Sequence, residues 1–260
     1  MVIFFDIDGT LIDESEQMPH SAREAIREAK ENGHICMINT GRAANMVSED
    51  LRKMAGMDGY LFGCGTMIEY RGEILFHKTF TVSEAENIIE GLRRYQIDAV
   101  LEGASRTFCP YPEETFSVEF RRFSEKWLRD GYRCYAWDNA AGYFDKFYSY
   151  MGDKKNREGF MEEFGDRLDF IDREKGYYEV TPKGFSKASG MERMAGIMQF
   201  SMEDTVAIGD SNNDLSMLKR AGRAVAMAKS SEEVLKTADF ITTDVNDEGI
   251  RNALKWLGAI

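Results

Sequence analysis

The sequence predicts an α/β fold: a parallel sheet with helices on both faces, interrupted by a separate α+β module. Three observations carry this expectation. Short apolar runs alternate with amphipathic helical patterns near the N-terminus. The alternation stops near residue 82 and resumes near residue 184. Four polar groups each fall just past an expected strand or at the start of an expected helix.

The first apolar run, Val2-Ile3-Phe4-Phe5, is short, unbroken and rich in β-formers, as suits a strand buried on both faces. Over 21–32, Ala22, Ala25, Ile26 and Ala29 recur at helical spacing, and Gly33 is placed to end the helix. A second run, Ile35-Cys36-Met37-Ile38, precedes a helix-like stretch over 43–54 and a third run, Tyr60-Leu61-Phe62. This order implies a parallel sheet with right-handed crossovers. Residues 66–70 and 73–80 then flank Arg71-Gly72, a hairpin signal. From 82 to about 180, amphipathic helices mix with aromatic-rich strands such as Phe144-Asp145-Lys146-Phe147-Tyr148-Ser149-Tyr150, and Pro182 and Gly184 punctuate the end. The α/β rhythm returns with a helix over 187–198, a strand over 205–208, a helix over 214–220, strands over 223–227 and 240–242, and a terminal helix. The expected organisation is a Rossmann-like core from 1–81 and 184–260, with 82–183 inserted as a second domain. Leaving and re-entering the core brings the two crossings together, as a hinged lid needs.

Composition narrows the function classes. Asp plus Glu number 45 and Lys plus Arg 33, a formal charge of −12, which disfavours nucleic acid and anionic membrane as partners. An acidic chain that handles phosphates needs locally placed cations, and a divalent metal is the simplest source. Cys36, Cys64, Cys109 and Cys134 show neither metal spacing nor a disulfide framework, which points to a reducing compartment. No basic region precedes the first apolar run, and no run approaches the ~20 residues that span a bilayer. A cytoplasmic location is expected.

The chemistry lies in four places. Asp6-Ile7-Asp8-Gly9-Thr10 directly follows the first strand, at the sheet end where open parallel sheets bind ligands. A carboxylate there can attack phosphorus, dividing hydrolysis into two displacements, and a second carboxylate can handle the protons. Attack by an anion on a phosphate requires a neutralising metal. A simple Asx turn is the competing account of this stretch. Asn39-Thr40-Gly41-Arg42 follows the second strand and offers a hydroxyl and backbone N–H groups to a phosphate, or merely caps a helix. Lys187 opens a helix, where the macrodipole opposes a cation unless an anion lies nearby, although most lysines are simply on the surface. Gly209-Asp210-Ser211-Asn212-Asn213-Asp214 follows a late strand and gathers hard oxygen donors suited to Mg2+, or forms an Asx-rich helix cap.

In their order along the chain, Asp6-Ile7-Asp8-Gly9-Thr10, Thr40-Gly41-Arg42, Lys187 and Gly209-Asp210-Ser211-Asn212-Asn213-Asp214 resemble the motifs of the haloacid dehalogenase superfamily. The long insert between the second and third motifs resembles the Cof-type phosphatase branch with its C2-type α/β cap. The resemblance implies Asp6 as nucleophile and metal ligand, and Asp8 as general acid/base whose backbone carbonyl also binds Mg2+. It implies Asp210 as the remaining carboxylate on the metal. Thr40, Gly41, the Ile7 backbone, Asn213 and Lys187 would hold the phosphate, with Asp214, Ser211 and Arg42 supporting them. The implied activity is Mg2+-dependent hydrolysis of phosphorylated small molecules such as sugar phosphates. Phosphoryl transfer between sugars and a catalytically silent phosphate-binding protein are the alternatives.

Two positions depart from that pattern: Asn39, where a small residue is common before Thr-Gly-Arg, and Cys64-Gly65, where Asn-Gly is usual. His20, His34 and His77 are scattered and expected to be structural or on the surface, and no Gly-x-Ser-x-Gly supports a serine hydrolase. The insert contains residues of the kind that select substrates, among them Glu102, Arg106, Tyr111, Tyr143, Lys146 and Tyr148, while most of its aromatics are expected to be core.

Overall fold

A computed structural model describes residues 1–129 and 131–260. In chain order its elements begin with β1 (Val2–Phe5), α1 (His20–Glu31), β2 (Ile35–Asn39), α2 (Glu49–Ala55), β3 (Gly59–Phe62), β4 (Met67–Tyr70) and β5 (Glu73–His77). There follow α3 (Val82–Arg94), β6 (Asp98–Glu102), β7 (Thr107–Phe108), α4 (Val118–Arg129), β8 (Lys146–Tyr150), α5 (Lys154–Phe164), β9 (Leu168–Asp172) and β10 (Tyr177–Pro182). The chain closes with α6 (Lys187–Met198), β11 (Thr205–Gly209), α7 (Leu215–Arg220), β12 (Arg223–Ala226), α8 (Glu232–Thr237), β13 (Phe240–Ile241) and α9 (Gly249–Trp256).

Two compact units result. One contains Met1–Arg42, Val47–Phe76 and Ser186–Ile260; the other contains Ala43–Met46 and His77–Phe185. The sequence reading did not anticipate that Ala43–Met46 would group with the insert.

In the first unit an eight-stranded sheet runs β13-β12-β11-β1-β2-β3-β4-β5. From β13 to β3 every pairing is parallel. The hairpin strand β4 then joins β3 antiparallel, so the sheet is mixed at that edge. β1 explains the whole arrangement. Its four residues are all buried, with Val2 and Phe4 in the cluster that includes Met191, Met194 and Met217 of α6 and α7. Ile3 and Phe5 alternate to the opposite face and are also fully buried. A strand with no polar face must be central. β1 and β11 lie side by side, and the chain leaves β1 towards β2 on one side and β11 towards β12 on the other. That is a topological switch point, and the crevice lies beyond the C-terminal ends of these two strands.

The expected single helix over 43–54 is not formed. A 3-10 turn, Ala44–Met46, comes first, and α2 begins only after Ser48, whose side chain accepts the Leu51 N–H at 3.2 Å. This local N-cap outcompetes continuation of the helical pattern. Gly33 ends α1 with φ +84°, as its position implied.

The second unit is a five-stranded antiparallel sheet in the order β7-β6-β8-β10-β9. One face packs Ala99, Leu101, Phe147 and Val180 with Ile88, Ile89 and Leu92 of α3 and Phe160 and Phe164 of α5. On the other face Val100 packs with Phe120 of α4, and Tyr148 stacks on Tyr177. Lys146 is buried on that face between Glu179 at 2.7 Å and Glu102 at 3.2 Å. Two of the charged residues singled out in the insert are thus occupied with each other: a buried ammonium demands carboxylate partners, and the sheet register supplies them.

Candidate active site

Asp6 is the first residue beyond β1, and its N–H donates to the Ile208 carbonyl at 3.0 Å, extending the β1–β11 ladder by one step. Asp210 is the first beyond β11. Adjacent parallel strands ending at one level therefore bring two carboxylates together from opposite ends of the sequence. Asp214 joins them, and one carboxylate oxygen from each of Asp6, Asp210 and Asp214 lies within 4.8 Å of the others.

Lys187 begins α6, after Ser186 caps the helix by accepting the Ser189 N–H at 3.2 Å. Its side chain is fully buried, with Nζ donating to Asp6 at 2.6 Å and to Asp214 at 2.5 Å. The conflict between a cation and a helix N-terminus is thus resolved by two anions. Burial alone would lower the Lys187 pKa, but Asp214 and Asp6 hold it well above its ordinary value. Asp6 shows the complementary strain: burial and the nearby Asp214 raise its pKa strongly, Lys187 draws it down, and Asp210 and Asp8 raise it again. Three carboxylates face one ammonium, and the excess negative charge is what a bound cation would relieve.

The loop 209–214 is wound around Asp214. Its second carboxylate oxygen accepts the N–H groups of Asp210 and Ser211, both at 3.0 Å. Gly209 permits this winding, because a Cβ there would lie 2.6 Å from the Asp214 carboxyl carbon. Ser211 Oγ donates to Asn213 Oδ1 at 2.7 Å, so the group Asn213 can offer an anion is its amide Nδ2.

Asp8 stands apart from the buried cluster and more than half exposed. Arg42 grips it with both ends of the guanidinium, Nε to Oδ2 at 2.9 Å and Nη2 to Oδ1 at 2.5 Å, and also reaches Glu16 at 3.3 Å. Thr40 is buried beside β3, with its N–H on the Leu61 carbonyl at 2.9 Å and its Oγ1 accepting the Arg42 N–H at 3.1 Å. Gly41 is buried between them, and Ile7 is fully buried with its carbonyl accepting the N–H groups of Leu11 and Ile12. Among the described residues, neither Thr40 nor Asn213 hydrogen-bonds to the Asp6–Lys187 cluster.

Sequence reasoning overlooked several supports. Thr10 Oγ1 donates to Asp210 at 3.1 Å, and a Cβ on Gly9, whose φ is +78°, would sit 2.5 Å from an Asp210 oxygen. Both lie inside the first acidic stretch, so proximity was the available signal. Asn39, read as a departure, donates Nδ2 to the Lys187 carbonyl at 2.9 Å and ties β2 to the start of α6. Ser231 donates its N–H to the Asp210 carbonyl at 3.2 Å and its hydroxyl to Asn212 at 2.7 Å, and nothing in the sequence marks it.

These carboxylates and the buried lysine gather at a switch point of the parallel sheet, the place where such sheets bind ligands. Residues 3–254 match the family model of haloacid dehalogenase-like hydrolases, and the chain belongs to that family. It is 26% identical to the putative phosphatase YkrA of Bacillus subtilis over 277 residues, covering 100% of this chain and 98% of the relative. It is 25% identical to the 5-amino-6-(5-phospho-D-ribitylamino)uracil phosphatase YcsE of the same organism, covering 98% and 95%. Among solved structures, a hypothetical protein of Geobacillus kaustophilus superposes with TM-score 0.81 at 28% identity, covering 100% and 99%. The subclass IIB sugar phosphatase BT4131 shares the fold, with TM-score 0.82 at 22% identity and coverage of 100% and 99%. The chain is a phosphatase of the Cof-type branch. Among the described residues, no helix is long and apolar enough to cross a membrane.

Proposed function

We propose that the chain hydrolyses phosphate monoesters of small molecules through an aspartyl-phosphate on Asp6. The observation carrying this reading is Asp6 itself: a buried carboxylate at the end of β1, fixed by Lys187 and crowded by two further carboxylates. Mg2+ fits the donor set, which is all hard oxygen and carries uncompensated negative charge. Asp6, Asp210 and the backbone carbonyl of Asp8 would hold it. Bound there, the ion would supply the charge neutralisation that attack on a phosphate needs.

The remaining work falls to this chain's own residues. Asp6 attacks phosphorus as the ester P–O bond breaks, and Asp8 gives the leaving oxygen its proton. Asp8 then takes a proton from water, whose oxygen attacks the same phosphorus and releases Asp6 and inorganic phosphate. Lys187, Thr40, Gly41, Asn213 and the Ile7 backbone hold the phosphoryl oxygens. Asp214 fixes Lys187 and, with Ser211, shapes the 210–214 loop, while Arg42 orients Asp8. Residues 82–183 serve as a cap that excludes water from the first step. The names of the relatives, among them a sugar phosphatase and a phosphatase of a phosphoribitylamino compound, support a phosphorylated metabolite as substrate.

Asp6→Asn is expected to abolish Mg2+-dependent phosphate release from p-nitrophenyl phosphate while the protein stays folded. Undiminished turnover in that variant overturns the assignment.

A further inference from the structure

We propose that Asn39 is a positioning residue for Lys187, setting the ammonium against the Thr40–Gly41 phosphate grip that Asn39 itself precedes. The inference rests on the phosphatase reading above and adds a residue to its machinery.

Asn39 closes β2 on the face that meets α6. Met37, two residues earlier on the same face, packs with Met191, Met194 and Met217 of α6 and α7. An apolar side chain would suit that face, yet Asn39 is polar and fully buried. Its Nδ2 donates to the Lys187 carbonyl at 2.9 Å and lies 3.6 Å from Met217 Sδ. The donor end of the amide therefore points at the helices, and Oδ1 has no hydrogen-bond partner among the described residues. Turning the amide over would set Oδ1 against the Lys187 carbonyl, so the unpartnered oxygen is the cost of this one donor. A buried acceptor left without a partner costs more than an ordinary hydrogen bond returns. The position is poorly chosen for stability.

Helix α6 has other anchors. Gly65 and Gly190 meet backbone to backbone, where a Cβ on Gly65 would lie 2.7 Å from Gly190 Cα, and Met191 and Met194 are fully buried beneath the helix. What the amide adds is a direct link between two parts of the proposed phosphate site. Asn39 pairs with Leu61 in the sheet, and the next N–H, that of Thr40, donates to the Leu61 carbonyl at 2.9 Å. The Thr40 carbonyl in turn accepts the Cys64 N–H at 3.0 Å. The backbone of Asn39 is thus continuous with a rigidly held Thr40, while its side chain holds the root of Lys187. From that root the lysine reaches Asp6 and Asp214. A shift of the root displaces the ammonium from Asp6 and from the phosphoryl oxygens together, which is felt most in the transition state.

The test uses the full-length protein with Mg2+ and p-nitrophenyl phosphate, comparing wild type with Asn39→Ala and Asn39→Val. Alanine removes the amide, and valine also refills its space. Both variants should lower kcat about tenfold, the size of a sub-ångström misplacement, with KM within about threefold of wild type. Their melting temperatures should rise or stay within about 2 °C of wild type, because the unpartnered oxygen leaves with the donor. Orthovanadate, which adopts the five-coordinate geometry of phosphorus in the transition state, should bind both variants about tenfold more weakly in calorimetry. In Lys187→Met, which has no ammonium to position, adding Asn39→Ala should change vanadate affinity by less than about twofold. Wild-type kcat in both variants, a loss of activity in step with a fall in melting temperature in both, or a full further loss of vanadate affinity in the Lys187→Met background overturns the inference alone. Failure of wild type to release phosphate from any monoester overturns the phosphatase reading and this inference with it.

Discussion

Replacing Lys187 by Met removes the buried ammonium while preserving most of its volume. Asp6 and Asp214 then lose a partner at 2.6 and 2.5 Å in a place water does not reach. Removing one member of a buried ion pair costs about 3–5 kcal/mol, because the remaining charge is neither paired nor hydrated. At about 2–4 °C per kcal/mol for a domain of this size class, the melting temperature should fall by about 6–20 °C. The loss should depend on pH. Burial and Asp214 already raise the Asp6 pKa, and without Lys187 nothing large opposes them. A carboxyl group with a raised folded pKa binds protons more readily folded than unfolded, so stability falls as pH rises through that pKa. The destabilisation of Lys187→Met should therefore be larger at pH 8 than at pH 5. Calorimetry without divalent metal measures both effects, and Asp214→Asn provides the internal control. Asparagine keeps an oxygen for the Asp210 and Ser211 N–H groups but removes a charge. Added to Lys187→Met, it should recover about 0.5–3 kcal/mol, the usual range for directly coupled residues. A Lys187→Met protein as stable as wild type, or a double variant weaker by the sum of both losses, would refute this account.

Three further outcomes are expected. Gly9→Ala places a Cβ 2.5 Å from an Asp210 oxygen at a φ of +78°, and should lower kcat about 100-fold through displaced ligands, with a raised Mg2+ requirement in titration. Arg42→Gln releases the Asp8 carboxylate from its two-point grip, so turnover of alkyl phosphates, which need a proton on the leaving oxygen, should fall about tenfold or more. Turnover of p-nitrophenyl phosphate by the same variant should change little, and an equal loss on both substrates argues against the orienting role. His77 donates to Asp145 at 2.9 Å, and this hydrogen bond raises the His77 pKa against the effect of burial. Its stabilising contribution should be complete below about pH 6.5 and disappear as pH rises through the raised value. Denaturant titration of His77→Gln should show a correspondingly flatter pH profile.

Much of the site was legible because its chemistry sits where strands end. Asp6 and Asp210 each follow an apolar run, and a run with no polar alternation belongs at the centre of a parallel sheet. Lys187 was legible as a cation in an unfavourable place, and the structure supplies the anions that hold it there. Ser231 was not legible, because its hydrogen bonds to Asp210 and Asn212 depend on where the loop before α8 returns. The role of Asn39 was not legible for a similar reason: its side chain donates to the Lys187 carbonyl, far along the chain from its own motif. What Lys146 and Glu102 do was not legible, because only cross-strand register places Glu102, Lys146 and Glu179 side by side.

By itself the sequence determined the periodicities, the order of the elements, the return of the α/β rhythm after the insert, and the residue types available at each strand end. These are local properties, set by side-chain spacing and backbone preference. Tertiary structure decided which groups share a charge environment. Only the pairing of β1 with β11 puts Asp6 beside Asp210, and only the packing of α6 buries the Lys187 ammonium between Asp6 and Asp214. Electrostatic interactions depend on distance and burial, which no spacing along a chain specifies.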